Sequence, residues 1–144
     1  MDQVLCLSNH VFLVHVVATI FMCGLCWFVQ VVHYPLFREI SFSDLSNYER
    51  KNLLRTSVVA IPVMVVEMLS GLIYLYCDLD PLFALNMGLF VIIGISTLVF
   101  QAPIHLQISR SPTPERIEKL IQTNWIRTIA WTIRVAILFI MLID

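Results

Sequence analysis

The sequence predicts an all-α fold: one antiparallel four-helix transmembrane bundle, with short interfacial helices in the two loops on one side. Three observations lead there. The 144-residue chain is 59% hydrophobic and 13% charged, whereas a soluble domain is about 45–50% apolar and about 25% charged. Its apolar residues gather into runs near 9–33, 54–77, 82–106 and 124–143, each close to the roughly 20 residues that cross the hydrocarbon as a helix. The connections between runs carry no repeat, low-complexity tract or long linker, so residues 1–144 read as a single membrane domain.

The N-terminal run lacks a basic n-region and a small-residue cleavage site. It stays free of Lys, Arg, Asp and Glu from Gln3 to Phe37, far longer than a signal-peptide core, and reads as a retained span. Along it His15, Thr19, Cys23, Cys26, Gln30 and His33 recur at steps of three or four. That spacing makes one stripe, roughly 27 Å long at 1.5 Å per residue, which should face the other helices. After Tyr34-Pro35 the helix should break, because proline disfavours a helical residue before it. Ser41–Asn52 reads as an interfacial helix, capped by Ser41 or Ser43, with Phe42, Leu45 and Tyr48 dipping into the headgroups.

Pro62 in the second span and Pro103 in the third should each free a carbonyl one turn earlier, which is tolerated where a neighbour or water can bond it. Thr113-Pro114-Glu115 is a helix start, with a cap, a proline at the first position and an acid in the first turn. It begins a short surface helix through Ile121 that leads into the fourth span. There Asn124, Arg127, Thr128, Trp131 and Arg134 share one face. From Asn124 to Arg134 is about 15 Å of rise, about half the hydrocarbon thickness, so this stripe must look inward.

Charge sets the expected orientation. Arg38, Arg50, Lys51, Arg55, Arg110, Arg116 and Lys119 lie in or beside two of the loops, while the other side carries Asp2, Asp78, Asp80 and Asp144 and no Lys or Arg. The positive-inside bias then puts both termini outside and the basic loops in the cytoplasm, with the lipid bilayer as the one evident partner. The basic residues are few and alternate with acids, so nothing suggests nucleic acid.

The polar residues of the spans gather toward the cytoplasmic side. Gln30 and His33 close the first run, Arg55 and Thr56 open the second, Gln101 and His105 close the third, and Asn124 and Arg127 open the fourth. Deeper in, Glu67 and Arg134 lie at comparable depths. Ionisable groups in hydrocarbon are costly and mark a functional site by default. His33, His105 and Glu67 are the candidate catalytic groups, the histidines because they titrate near neutrality. Gln30, Tyr34, Arg55, Gln101, Asn124, Arg127, Trp131 and Arg134 are the candidate ligand-binding residues.

Each constellation also has a structural reading. Glu67 and Arg134 can be an ion pair that fixes helix register or can line a ligand or proton path. His33 and His105 can ligate one metal ion or a haem, or can bond locally, His33 to Gln30 or Arg127 and His105 to Gln101. His10 and His15 lie too far along the first span to join that site. Cys23-Gly24-Leu25-Cys26 has redox spacing, but thiol exchange needs an accessible thiolate, which favours packing in mid-membrane. Cys6 and Cys77 fall at the outer rim, where a disulfide is chemically permitted. Trp27, Trp125 and Trp131 can wall a flat ligand, or pack and anchor.

The pattern Gln30-x-x-His33-Tyr34-Pro35, Arg55 with Pro62, Met64 and Glu67, Gln101-x-Pro103-x-His105, and Asn124-Trp125-x-Arg127-Thr128-x-x-Trp131-Thr132-x-Arg134 resembles an uncharacterised group of small bacterial four-helix membrane proteins. More distantly it is similar to anthrone-oxygenase-like membrane proteins. The resemblance implies a four-span bundle in a bacterial inner membrane. The group carries Tyr-His-x-x-His before its second span; here the chain reads Tyr48-Glu49-Arg50-Lys51-Asn52, with both histidines replaced.

These observations lead to an expected polar site near the cytoplasmic leaflet that binds or transforms a small lipid-soluble ligand, oxidoreductase- or oxygenase-like. In it Arg127 and Arg134 would hold anionic or carbonyl oxygen. The rival expectation is a non-catalytic accessory subunit whose buried charges specify assembly. Transport stands third, since only His10, His15 and Asn86 could line an outer half-channel.

Overall fold

In the computed structural model, residues 2–143 are described, with side chains from 9 to 143. Five α-helices build four long spans: α1 (Asp2–Phe28), α2 (Phe42–Cys77), α3 (Pro81–Ser96), α4 (Ala102–Arg110) and α5 (Pro114–Ile143). Two π-helical turns interrupt the ladder, Val29–His33 after α1 and Thr97–Gln101 between α3 and α4. Four helical stretches, Asn9–Glu39, Phe42–Cys77, Pro81–Arg110 and Pro114–Ile143, are long and apolar enough to cross a membrane.

Prolines explain where the ladder deforms. Both π turns lie just ahead of a proline, Pro35 in one case and Pro103 in the other. A proline ring clashes with the carbonyl one turn before it and leaves that acceptor free, so the preceding turn widens. After the first π turn the chain tightens into a 3₁₀ turn over Pro35–Glu39 and ends in extended backbone at Ile40. Pro62, by contrast, is carried inside α2 without a break.

The expected separate surface helix over Ser41–Asn52 is not a separate element. Nothing between Asp44 and Ile61 breaks a helix, so the segment runs on as the first turns of the 36-residue α2. Ser41 holds the N-cap position, but its hydroxyl bonds the Asp44 carboxylate (2.7 Å) rather than a backbone amide. Pro114 likewise opens one continuous 30-residue helix that includes the fourth span. At the start of α3, Asp80 caps the Phe83 amide (2.8 Å) with Pro81 at the first position.

Three apolar clusters hold the spans together. One joins Tyr34 and Phe37 to Leu45, Ile104, Ile108, Ile117 and Leu120. A middle cluster holds Met22, Cys26, Ile93, Ala130 and Trp131. The third packs Phe12 and Val16 against Phe83, Met87 and Leu138. Helix α1 packs on α2 and α5, α3 on α5, and α2 on α4. Gly71 is required at one close approach, since a Cβ there would meet Met87 Sδ at 2.5 Å and His15 Cε1 at 2.9 Å. An exposed bidentate pair, Arg38 with Glu118 (2.7 and 2.9 Å), ties the 3₁₀ turn to α5.

Candidate functional site

The polar side chains form two separate assemblies. The first is enclosed. Arg134 on α5 donates Nη1 to Glu67 Oε1 on α2 (2.5 Å) and Nε to the Asn86 carbonyl and Oδ1 on α3 (3.2 and 3.1 Å). Its Nη2 faces His15 Nε2 on α1 (3.3 Å). A guanidinium can only donate, so His15 accepts through Nε2 and its proton sits on Nδ1, which donates to the Glu67 carbonyl (3.0 Å). Thr19 completes the ring by donating to Glu67 Oε1 (2.8 Å). Trp131 and Phe90 cover the guanidinium with ring centroids at 4.7 and 4.9 Å. His15, Thr19, Glu67, Asn86, Trp131 and Arg134 all have zero exposure.

This assembly corrects several expectations. His15 stays apart from His33 and His105, as expected, and joins Glu67 and Arg134 instead, one turn from Thr19 on the same stripe. Asn86 also serves Arg134, so the two fully buried polar groups proposed for an outer path are already engaged. Arg134 and Trp131 are not on the wall of a cavity; the first is spent on protein partners and the second is packed beneath it. Glu67, read as a catalytic candidate, is sealed from any ligand.

The second assembly surrounds a cavity of about 260 Å³ between the four spans. Met22, Leu25, Val29, Leu53, Ala60, Ile61 and Met64 make most of its wall, and Cys26 joins them. His33, Tyr34, Asn52, Thr56, Thr97, Gln101, His105 and Arg127 supply its polar side. Both π turns border it, through Val29 and His33 on one and Thr97 and Gln101 on the other. Such bulges re-aim side chains and recur at functional sites.

A hydrogen-bonded chain runs along the polar side. His33 Nε2 meets Asn52 Oδ1 (3.0 Å), which also accepts from Thr56 (3.0 Å). Asn52 Nδ2 donates to Glu49 Oε2 (3.0 Å). Glu49 Oε1 bonds His105 Nδ1, and His105 Nε2 bonds the Tyr34 hydroxyl (2.9 Å). Glu49 has zero exposure, and His105 and Tyr34 are buried.

Two polar atoms on the same wall have no hydrogen-bond partner: Gln101 Oε1, an acceptor, and Arg127 Nε, a donor. Gln101 is held by Nε2 donating to Thr123 (2.9 Å). The Arg127 guanidinium also approaches the Tyr34 hydroxyl. Buried polar groups are ordinarily paired, so Gln101 and Arg127, both lining residues, keep one acceptor and one donor unspent just behind the cavity surface.

The remaining candidates divide. His33 and His105 both line the cavity but bond Asn52, Glu49 and Tyr34 instead of Gln30, Arg127 or Gln101. Among the described residues no three His, Cys, Asp or Glu side chains are grouped to hold a metal ion. Asn124 Nδ2 donates to Gln30 Oε1 (2.8 Å), and Gln30 Nε2 donates to the Ile121 carbonyl (3.2 Å), which locks the first π turn to α5. Neither Gln30 nor Asn124 lines the cavity. Arg55 is exposed and off its wall. None of the tryptophans walls the cavity; Trp27 donates to Thr132 (3.0 Å) and packs edge-on against Trp125. Cys23 and Cys26 are free thiols facing Thr132 and Thr128, and Cys77 is an exposed free thiol. Cys6 lies outside the described side chains.

Glu49 is the functional candidate that sequence reasoning misses. A signal was present: Glu49, Asn52 and Thr56 follow at steps of three and four, one polar face on a helix. No family model, curated protein or solved structure matches the chain.

Proposed function

We propose that this is an integral membrane protein whose cavity binds, and acts on, a small lipid-soluble ligand with a polar head. The observation that carries the reading is that Gln101 and Arg127, two residues lining a largely apolar cavity, each keep a buried polar atom, Oε1 and Nε, without a partner. Ligand sites are mostly apolar with a few placed polar groups, at about 300–1,000 Å³. A cavity of about 260 Å³ suits a small molecule or the head of a longer one.

The bundle is antiparallel in this reading. Contacts between α1 and α2 run in opposite chain directions, His15 with Ser70, Thr19 with Glu67 and His33 with Asn52, which supports that arrangement. The charge asymmetry supports outside termini and a cavity toward the cytoplasmic leaflet of a bacterial inner membrane. The first turns of α2 and α5, rich in charge, would lie along that interface. The resemblance to the small four-helix group and to anthrone-oxygenase-like proteins favours an oxidoreductase- or oxygenase-like activity. Where the group has two histidines, Glu49 and Asn52 bond His105 and His33, so hydrogen bonding replaces a possible ligand set.

The test is lipid extraction and mass spectrometry of detergent-purified protein beside Ala60→Trp, which fills the cavity, and Arg127→Ala, which removes its donor. A small molecule that co-purifies with the native chain and is lost from both variants supports the reading. Identical extracts from all three refute it. The enclosed Glu67–Arg134 assembly favours a second reading, an accessory subunit built for assembly, which identical extracts would leave standing.

A further inference from the structure

Resting on that cavity, we propose that Glu49, His105 and Tyr34 form a proton relay that ionises a hydroxyl-bearing, lipid-soluble ligand. Tyr34 is the catalytic residue and Glu49 a positioning residue. The hydrogen-bond logic sets the direction. A carboxylate only accepts, and both Glu49 oxygens are used, Oε1 by His105 Nδ1 and Oε2 by Asn52 Nδ2. The His105 proton therefore sits on Nδ1, leaving Nε2 to accept from the Tyr34 hydroxyl at 2.9 Å. An oriented carboxylate, an imidazole and a hydroxyl in series is the arrangement that activates a weakly acidic O–H.

The step conserves every proton. The ligand O–H bond breaks and its proton passes to the Tyr34 oxygen. The Tyr34 proton passes in the same event to His105 Nε2, giving an imidazolium beside the Glu49 carboxylate. The electron pair stays on the ligand oxygen, opposite the free Arg127 Nε. Gln101 Oε1 accepts from a second donor on the ligand, so the relay suits a phenol, enol or hydroxy-carbonyl head. No oxidant or co-reactant enters.

A long-chain alkyl nitrophenol, yellow only as the phenolate, tests this at a pH where the free probe is neutral. Binding is read by calorimetry in two buffers of different ionisation enthalpy, and ionisation by absorbance. The native chain should bind the probe as phenolate without releasing a proton to buffer, because the proton stays on His105. Tyr34→Phe and Glu49→Gln should still bind the neutral probe, but bound phenolate falls about tenfold or more and the affinity at that pH weakens by a similar factor, the effect of losing a charge partner worth a pKa unit. Phenolate in Tyr34→Phe equal to native, again without proton release, overturns the relay and leaves the binding reading intact. Absence of saturable binding to the native chain overturns both. Tyr34→Phe deletes one oxygen, so a folded variant is expected, and its thermal unfolding is measured alongside.

Discussion

Removing either partner of the Glu67–Arg134 pair should destabilise the bundle strongly, and removing both should cost far less than the sum. Arg134→Met deletes the 2.5 Å contact to Glu67, two bonds to Asn86 and the contact to His15, and leaves the Glu67 carboxylate buried without a counter-charge. Glu67→Gln leaves the guanidinium in the same position. Breaking a buried pair from one side costs about 3–5 kcal/mol, at least a hundredfold in the folded-to-unfolded ratio by the rule that about 1.4 kcal/mol is tenfold. In Glu67→Gln/Arg134→Met no charge remains. Two other bonds survive because they use backbone acceptors, Asn86 Nδ2 to the residue-134 carbonyl (2.9 Å) and His15 Nδ1 to the residue-67 carbonyl (3.0 Å). The coupling should reach about 2–3 kcal/mol, the upper part of the range for residues in one network. The assay is reversible unfolding in mixed micelles with rising SDS, followed by tryptophan fluorescence, on all four proteins. Single variants within about 1 kcal/mol of native, or a strictly additive double variant, would refute the claim that this pair holds α2 to α5.

Gly71→Ala should lower stability by about 1–3 kcal/mol, the usual range for overpacking, because its Cβ meets His15 and Met87; Gly24→Ala, Gly88→Ala and Gly94→Ala, with open space around the new Cβ, should be neutral or stabilising by thermal unfolding in detergent. Sidedness can be read from Cys77, an exposed free thiol. In a Cys6→Ser background, a membrane-impermeant maleimide applied to intact cells should label Cys77 and fail to label a cysteine placed by Arg116→Cys, and the opposite pattern reverses the orientation.

The helices were legible because apolar run length is a strong signal in a bilayer, and the Glu67–Arg134 approach because buried charges at equal depth have few other partners. Contacts set by helix rotation were not legible. His15 lies on the predicted stripe with Thr19, yet spacing along one helix does not name Glu67 as its partner; only the pairing of α1 with α2 brings them together. Glu49 reads as part of a wet surface segment because its neighbours Arg50 and Lys51 are charged. Its burial depends on the 3₁₀ turn at Pro35–Glu39 folding Phe37 beside Leu45 and the start of α2. The π turns were not legible either: Pro35 and Prο103 mark a disturbance, but a wide turn and a simple kink share that signal.

The two polar assemblies differ in where their unpaired atoms lie, and that difference assigns their roles: Glu67 Oε2 and Trp131 Nε1 lack a partner inside the sealed assembly, whereas Gln101 and Arg127 belong to a cavity wall. Around Arg134 every guanidinium nitrogen has a partner, and His15, Glu67, Asn86 and Trp131 have no exposure. A group so fully committed to its own protein has nothing left for a ligand, and the three polar residues it joins, His15, Glu67 and Asn86, come from three other helices, which is what a device for fixing helix register requires. Around the cavity the reverse holds. His105 and Tyr34 are held in place from behind by Glu49, yet Gln101 and Arg127 of the same wall keep Oε1 and Nε unpartnered. Orienting groups complete and contact atoms vacant is the condition of a preorganised binding site. The price in stability of those open atoms, about 1–3 kcal/mol for each unsatisfied buried group, is sustained by the closed assembly deeper in the bundle. Weakening the Glu67–Arg134 pair should therefore reduce ligand capacity only in proportion to the folded protein, whereas Arg127→Ala should reduce it in protein that folds normally.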